Sequence, residues 1–383
     1  MFFTVVDRDA GTRARTCLLD LPHGDVETPA FMPVGTNASV KASPVDDLER
    51  MGVRMILGNA YHLYLRPGID VIKAAGGLHR FMAWKRNILT DSGGFQIFSL
   101  APFRKIDRDG VLFRSHIDGS SHRLTPEAVI EIQVDLGSDI VMPLDICTPQ
   151  GVDFEEAAFA VRRTSEWAER STTAWGRKPG DRTARLFAIV QGNFFKDLRE
   201  RSAMDLRALG FDGYAIGGLS VGERFEEFQE FLQFTAGLLP REKPRYLMGI
   251  GTPRYILEAV ENGIDIFDCV YPTRTARNAL AISREGNLNL RLEMNKYDQG
   301  PIDPECRCST CQHYSRSYLR HLFKAKEIMG AVLTTHHNLT FIQNLIVGIR
   351  AAIAEGEFQT FKKKFLQRFE GNQANKVGNE ETP

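Results

Sequence analysis

Eight short apolar runs punctuate the chain, each stopped by Gly, Pro or a polar residue. They are Phe31 to Val34, Arg54 to Leu57, Ile88 to Asp91, Ile140 to Leu144, Leu186 to Gln191, Tyr214 to Gly217, Tyr246 to Gly249 and Ile264 to Asp268. Runs that stay apolar without alternating with polar residues belong to strands buried on both faces, and such strands form parallel sheets covered by helices. Helical signals lie between them. Thr125-Pro126 supplies an N-cap and a first-turn proline for a helix reaching about Leu136, and Thr252-Pro253 does the same ahead of Tyr255 to Asn262, with Gly263 as the stop. Ala158, Val161, Ser165 and Ala168 recur at helical spacing, as do Phe225, Phe228, Leu232 and Leu239. Eight strands alternating with helices predict an α/β chain folded as a (β/α)8 TIM barrel, with a doubly wound sheet as the second reading.

The pattern changes after Asp268. Ala281 to Leu292 reads as one or two extra strands, a cysteine cluster follows, and a helix is expected from about Leu339 to Ile353. The expected organisation is a barrel with an N-terminal extension over 1–291, a zinc-binding subdomain over 292–340, a C-terminal helix completing the barrel over 341–370, and a disordered polar tail over 371–383. Lys362-Lys363-Lys364 reads as the exposed face of a terminal helix.

Lys+Arg and Asp+Glu balance at 48 each in 383 residues. A nucleic-acid surface on such a chain must be a local patch. The start, Met1-Phe-Phe-Thr-Val-Val-Asp-Arg, lacks the pattern of a signal peptide, and no stretch reaches the roughly 18 apolar residues of a membrane span. The expectation is a cytoplasmic protein with no membrane partner.

In barrels of this kind the site is built at the C-terminal ends of the strands. Strand three ends in Asp91-Ser92-Gly93-Gly94-Phe95-Gln96, strand four in Asp145-Ile146-Cys147, and strand five in Gln191-Gly192-Asn193. Strand six ends in Gly217-Gly218-Leu219-Ser220, strand seven in Met248-Gly249, and strand eight in Asp268-Cys269-Val270-Tyr271. Any one of these aspartates could simply cap a following helix or turn. Three meeting at one mouth suit glycosidic-bond chemistry, in which one carboxylate attacks the anomeric carbon and another protonates the leaving group. The glycines form no P-loop, which disfavours phosphate handling.

Cys306-x-Cys308-x-x-Cys311 places three thiols within reach of one ion, and His337 follows after 25 intervening residues. Four such ligands close a tetrahedral shell, so a structural Zn2+, one per chain, is expected. His336 is the alternative fourth ligand. A catalytic metal of a barrel hydrolase would need an open coordination position.

Taken together, the chain resembles the bacterial tRNA-guanine transglycosylases up to its polar tail. The matching stretches include Phe31-Met-Pro-Val-Gly-Thr36, Gly58-Asn-Ala-Tyr-His-Leu-Tyr-Leu-Arg-Pro-Gly68, Asp91-Ser-Gly-Gly-Phe-Gln96, Gly217-Gly-Leu-Ser-Val-Gly-Glu223, Phe267-Asp-Cys-Val-Tyr-Pro-Thr-Arg274 and the cysteine cluster. The resemblance implies an enzyme of queuosine biosynthesis that exchanges the wobble guanine of a tRNA anticodon loop for 7-aminomethyl-7-deazaguanine. Asp268 would be the covalent nucleophile and Asp91 the general acid and base. Asp91, Asp145, Gln191 and the backbone at Gly218 and Leu219 would bind the base, with Phe95 and Met248 on its faces. Arg274 and Arg277, just after Asp268, would meet RNA phosphates, and Arg307, Arg316, Arg320, Lys324 and Lys326 on the zinc insertion would add a local basic face, with a solvated charged surface as the other reading for at least half of them; a homodimer through the zinc region is implied. Departures from the family pattern are Ile146, Asn193, Ala279 and Tyr271. Cys147 and Val221 favour the small precursor base. Two alternatives stay open: queuine as the direct substrate, and a non-catalytic tRNA-binding partner subunit.

Overall fold

The computed structural model describes residues 2–100, 103–177 and 183–371. All eight apolar runs become strands of one closed parallel barrel: Ala30–Gly35, Met55–Gly58, Asn87–Thr90, Ile140–Val141, Arg185–Val190, Gly213–Ile216, Arg245–Leu247 and Ile266–Cys269. Closure comes from the last strand pairing with the first, with Ile266 opposite Ala30 and Asp268 opposite Met32. The doubly wound alternative is thereby excluded, because an open sheet would leave these two strands as edges.

Burial on both faces is visible strand by strand. In the second strand Met55 and Leu57 point into the barrel with Met32, Leu89, Ile140, Ile189 and Ile266. Ile56 points outward, into the separate layer between strands and helices that holds Ile88, Val141, Ile130 and Leu136. The two faces of each strand thus belong to two cores, which is why the runs carry no polar alternation.

The helices form close to where their signals placed them. Thr125 accepts a hydrogen bond from the Ala128 amide at the head of Pro126–Leu136, and Gly137, with φ of 77°, ends it in the left-handed region. Thr252 occupies the N-cap position of Pro253–Glu261, but its side chain makes no capping bond. Phe154–Gly176 covers its expected stripe, and Phe225–Leu238 covers the other except Leu239, which is the extended residue capping the helix end.

Two antiparallel sheets were not foreseen. Phe3–Arg8, Arg15–Leu19 and Val26–Thr28 form one that packs Phe3, Cys17, Leu19 and Val26 against the strand starts, plugging the N-terminal end of the barrel. Arg15 and Asp265 pin it there through a buried ion pair of 2.7 Å just before the eighth strand. Arg104–Ile106, Val111–Arg114 and Ser121–Leu124 form the other, between the third strand and its helix.

Beyond the barrel, Leu280–Ser283 and Gly286–Asn289 make a hairpin. The helix expected from about Leu339 starts eleven residues earlier and runs unbroken over Ile328–Ala354. Its first half carries Gly330, Thr334, Thr335 and His337, all buried, so small and polar residues there face other parts of the protein and not water. Phe358–Gly371 is the last helix. In it Lys362 is not merely a solvated face residue, since it pairs with Glu258 at 2.7 Å and with Glu261. The tail expectation over 371–383 falls on residues outside the described ones, save Gly371. Among the described residues no helix is long and apolar enough to cross a membrane.

Candidate active site

Each barrel strand delivers its last residues to one mouth. Asp91 follows the third strand directly. Its Oδ1 accepts from the Ala60 amide at 2.9 Å and its Oδ2 from Asn59 Nδ2 at 2.6 Å. The orientation of Asn59 is itself fixed, because its Oδ1 caps Ala60–Leu65 by accepting from the His62 amide at 3.0 Å. Burial outweighs these donors and, with the nearby charges of Asp268 and Asp145, pushes the Asp91 carboxyl up to about 7.

Asp145 lies four residues beyond the fourth strand, which is only two residues long. Ser92 Oγ donates to its Oδ1 and Gln191 Nε2 to its Oδ2, both at 2.8 Å, so strands three, four and five converge on one carboxylate. Burial raises its pKa, and those two donors pull it back. Gly94 has to be glycine here: a Cβ would stand 2.6 Å from the Asp145 carbonyl oxygen and 2.7 Å from its Oδ1.

Asp268 lies within the eighth strand and is half-buried. Its Oδ1 accepts from Tyr246 OH at 2.5 Å and from the Gly249 amide at 2.9 Å. Burial raises the Asp268 pKa, and those two donors counter that push. Tyr246 is fully buried, and burial beside Asp268 drives its own pKa well above 10, so it stays a donor.

The loop after the sixth strand is held from behind. Arg199, fully buried, donates to the carbonyls of Asn193, Gly217 and Gly218, and burial lowers its pKa to about 10. Glu223 accepts from the Ser220 and Val221 amides. Gly218 sits at φ of 65°, with Gln191 Oε1 2.8 Å from where a Cβ would be. These supports turn the backbone of Gly218 and Leu219 into a fixed edge. Asn193 and Ala279, where the family resemblance leads one to expect glycine, both lie at positive φ. Asn193 uses its side chain there, donating to Thr148 Oγ1 and the Pro149 carbonyl at 2.8 Å.

Phe95, 55% exposed, stands at the mouth, and Met248 is half-buried after the seventh strand. A cavity of about 490 Å3 opens beside Asp145, lined in part by Phe95, Phe98, Cys147, Phe159, Ser220 and Val221. Ile146 and Cys147, which follow Asp145, line it, while Asp91, Asp145, Gln191 and Asp268 do not.

A family model described as queuine tRNA-ribosyltransferase matches residues 9–371. This chain belongs to that family. Curated relatives named queuine tRNA-ribosyltransferase include one from Pelotomaculum thermopropionicum, 54% identical over 370 residues that span 97% of this chain and 99% of the relative. Another, from Treponema denticola, is 51% identical over 368 residues, 96% of this chain and 97% of its own. A third, from Caldanaerobacter subterraneus, is 54% identical over 370 residues, 97% and 98% of the two chains. As a member of the queuine tRNA-ribosyltransferase family the chain is an enzyme, a transferase.

The basic residues divide by structure. Arg274 is exposed on Tyr271–Arg277, directly after the eighth strand, and Arg277 is half-buried there, bonded to the Thr273 carbonyl. Arg316 is occupied by Asp298 and the carbonyls of Pro301 and Ile302, and Arg320 by Glu293 and the Leu292 carbonyl. Those two build the insertion's own framework.

The four side chains expected to hold a metal ion come together in the structure. Cys306, Cys308, Cys311 and His337 are buried, with ligand atoms within 4.8 Å of one another. His337 Nδ1 lies 3.5 Å from Cys308 Sγ and 3.2 Å from Cys311 Sγ. Its Nε2 donates to the Ile282 carbonyl at 2.7 Å, which fixes the ring with Nδ1 toward the thiols. His336 instead meets Ser309 Oγ at 3.1 Å and lies near Asp47, away from the cluster. Three thiols and an imidazole fit a metal ion such as zinc with no coordination position left over. Next to His337, Asn338 bonds the Ile282 amide and the carbonyls of Leu280 and Pro272, tying the cluster's helix to the segment behind Asp268.

The sequence reading missed Asn59, Tyr246 and Arg199 as site-supporting residues. Asn59 and Tyr246 lay inside or beside strand ends already marked, but their partners were invisible. Arg199 sits on helix Lys196–Ala208, and only its complete burial singles it out.

Proposed function

We propose that the chain is a tRNA-guanine transglycosylase that replaces the wobble guanine of a tRNA anticodon with 7-aminomethyl-7-deazaguanine. The observation that carries this reading is the convergence of Asp91, Asp145 and Asp268 at the barrel mouth, each held by different donors. Asp268 attacks the ribose C1′ as the C1′–N9 bond breaks, giving an ester between ribose and carboxylate. Both of its hydrogen bonds fall on Oδ1, leaving Oδ2 to attack.

Asp91, with its pKa near 7, gives a proton to the departing guanine. It then takes one from the incoming base, whose nitrogen attacks C1′ and expels Asp268. Asp145 and Gln191 read the polar edge of the base, the backbone at Gly218 and Leu219 holds the opposite side, and Phe95 and Met248 flank its faces. An anticodon loop is already partly unstacked, which keeps the cost of presenting the nucleotide low. Arg274 and Arg277 contact its phosphates. Zinc held by Cys306, Cys308, Cys311 and His337 is structural, and the chain acts as a homodimer in the cytoplasm.

Labelled guanine incubated with substrate tRNA tests the activity; no incorporation at the wobble position refutes it. Asp268→Asn abolishes a denaturation-resistant enzyme–RNA adduct, and an adduct that survives moves the nucleophile elsewhere. The roomy cavity beside Cys147 and Val221 supports one second reading, queuine as the direct substrate. Competition of the precursor and queuine against labelled guanine separates the two.

A further inference from the structure

The N-terminal face of the barrel, at the opposite ends of the strands from Asp268, carries a second group of metal-ligating side chains that base exchange does not use. We propose that His23, His79 and Asp139 form a binding site for a divalent transition-metal ion such as Zn2+. Their ligand atoms lie within 4.8 Å of one another. The three come from separate parts of the chain: His23 from the turn between two strands of the N-terminal sheet, His79 from the short helix Leu78–Phe81, and Asp139 from the residue before the fourth barrel strand.

The arrangement is held in place before any ion arrives. The Ile88 amide donates to Asp139 Oδ2 at 2.7 Å, which fixes the carboxylate. Asn87 grips the turn that carries His23, accepting from the His23 amide at 3.1 Å and donating to the Gly24 carbonyl at 2.7 Å. Donors of this kind orient ligands in metal sites.

Hydrogen bonding alone leaves the group incompletely satisfied. His23 Nδ1 lies 2.7 Å from Asp139 Oδ1, a good bond. His79 Nε2 lies 3.2 Å from Asp139 Oδ2, yet it is shielded from solvent and forms no hydrogen bond of acceptable geometry. The two rings stack with centroids 3.7 Å apart and planes at 18°, which brings both to one carboxylate. A single cation takes one ring nitrogen of each histidine and one carboxylate oxygen, replacing the proton of the His23–Asp139 bond, with water completing four ligands.

His23 is 38% exposed while Asp139 is 2% exposed, so the site is open on one side and closed behind. That access lets the ion exchange with solution, unlike the sealed cysteine cluster. Its effect is to clamp the N-terminal sheet to the base of the barrel, remote from the chemistry.

The test counts bound zinc per chain in the full-length protein after equilibration with excess Zn2+, beside His23→Ala, His79→Ala and the more conservative His79→Gln. The expected result is one equivalent fewer in every variant than in the wild type. Added Zn2+ also raises the Tm of the wild type and not of the variants, with guanine exchange equal in all. Equal zinc content in wild type and variants, or a Zn2+-induced Tm rise that the variants share, overturns the proposal.

Discussion

Replacing Tyr246 by Phe removes one hydroxyl from a fully buried ring and nothing else. The hydroxyl donates to Asp268 Oδ1 at 2.5 Å and shares that oxygen with only the Gly249 amide. A hydrogen bond to a charged group contributes about 1.5–3 kcal/mol, and 1.4 kcal/mol corresponds to one pKa unit. Losing it therefore raises the Asp268 pKa further, on top of the upward push from burial. The nucleophile must be ionised, so the acid limb of the profile moves to higher pH and kcat/KM at a given pH on that limb falls roughly 10- to 100-fold. The bond is weaker once the carboxylate charge is lost in the covalent ester, so the rate at the top of the profile, between the two limbs, changes less than the acid limb does. The assay is kcat/KM for guanine exchange across pH, with the alkaline limb, set by Asp91, as the internal reference. An acid limb that stays where it is in Tyr246→Phe would refute the assignment of Asp268 as the ionised nucleophile.

Three further perturbations probe other parts of the molecule. Gly94→Ala drives a methyl into Asp145, and a shift near 1 Å of a base-reading carboxylate lowers kcat/KM for guanine on the order of 10²-fold; thermal melting checks that the fold survives, and wild-type kinetics in a folded variant count against the base-reading role. Asp91→Asn abolishes exchange and changes stability in a pH-dependent way. Because Asp91 has a pKa of about 7 against an ordinary 3.8, its contribution is complete below about pH 4 and is lost as pH rises through 7, so the variant, which does not ionise, gains up to about 4 kcal/mol on the wild type near pH 8 in denaturant titrations and little near pH 4. Cys308→Ser removes one sulfur ligand of the cluster: metal analysis shows zinc lost from that site, and the Tm falls because the folding free energy of metal binding is lost, while a serine still caps Ser309–His313.

The barrel was legible because its strands are buried twice over, and that condition writes itself into composition as unbroken apolar runs. The sheet over Arg104–Leu124 was not, since its strands, such as Arg104–Ile106 and Ser121–Leu124, are short and largely polar with one face on solvent. Ile328–Ala354 shows the converse failure. Its polar first half is buried because His337 and Asn338 find partners in distant segments and its Leu333 carbonyl accepts from Thr310, and no local pattern announces such partners.

Within the site the same distinction separates the groups proposed for chemistry from those that aim them. Asp91, Asp145, Gln191 and Asp268 stand at strand ends, where position in the fold alone marks them. Asn59, Tyr246 and Arg199 matter through what they touch. Asn59 shows why sequence falls short: its Oδ1 is committed to a helix cap, and only for that reason does its Nδ2 face Asp91. A residue that reads locally as an ordinary N-cap thereby becomes a fixed donor to a carboxylate whose pKa lies near 7. Local structure and proton chemistry are joined in one side chain, so a substitution that preserves the cap but not the amide, Asn59→Asp, sets a second carboxylate against Asp91 and alters the site while leaving the helix start intact.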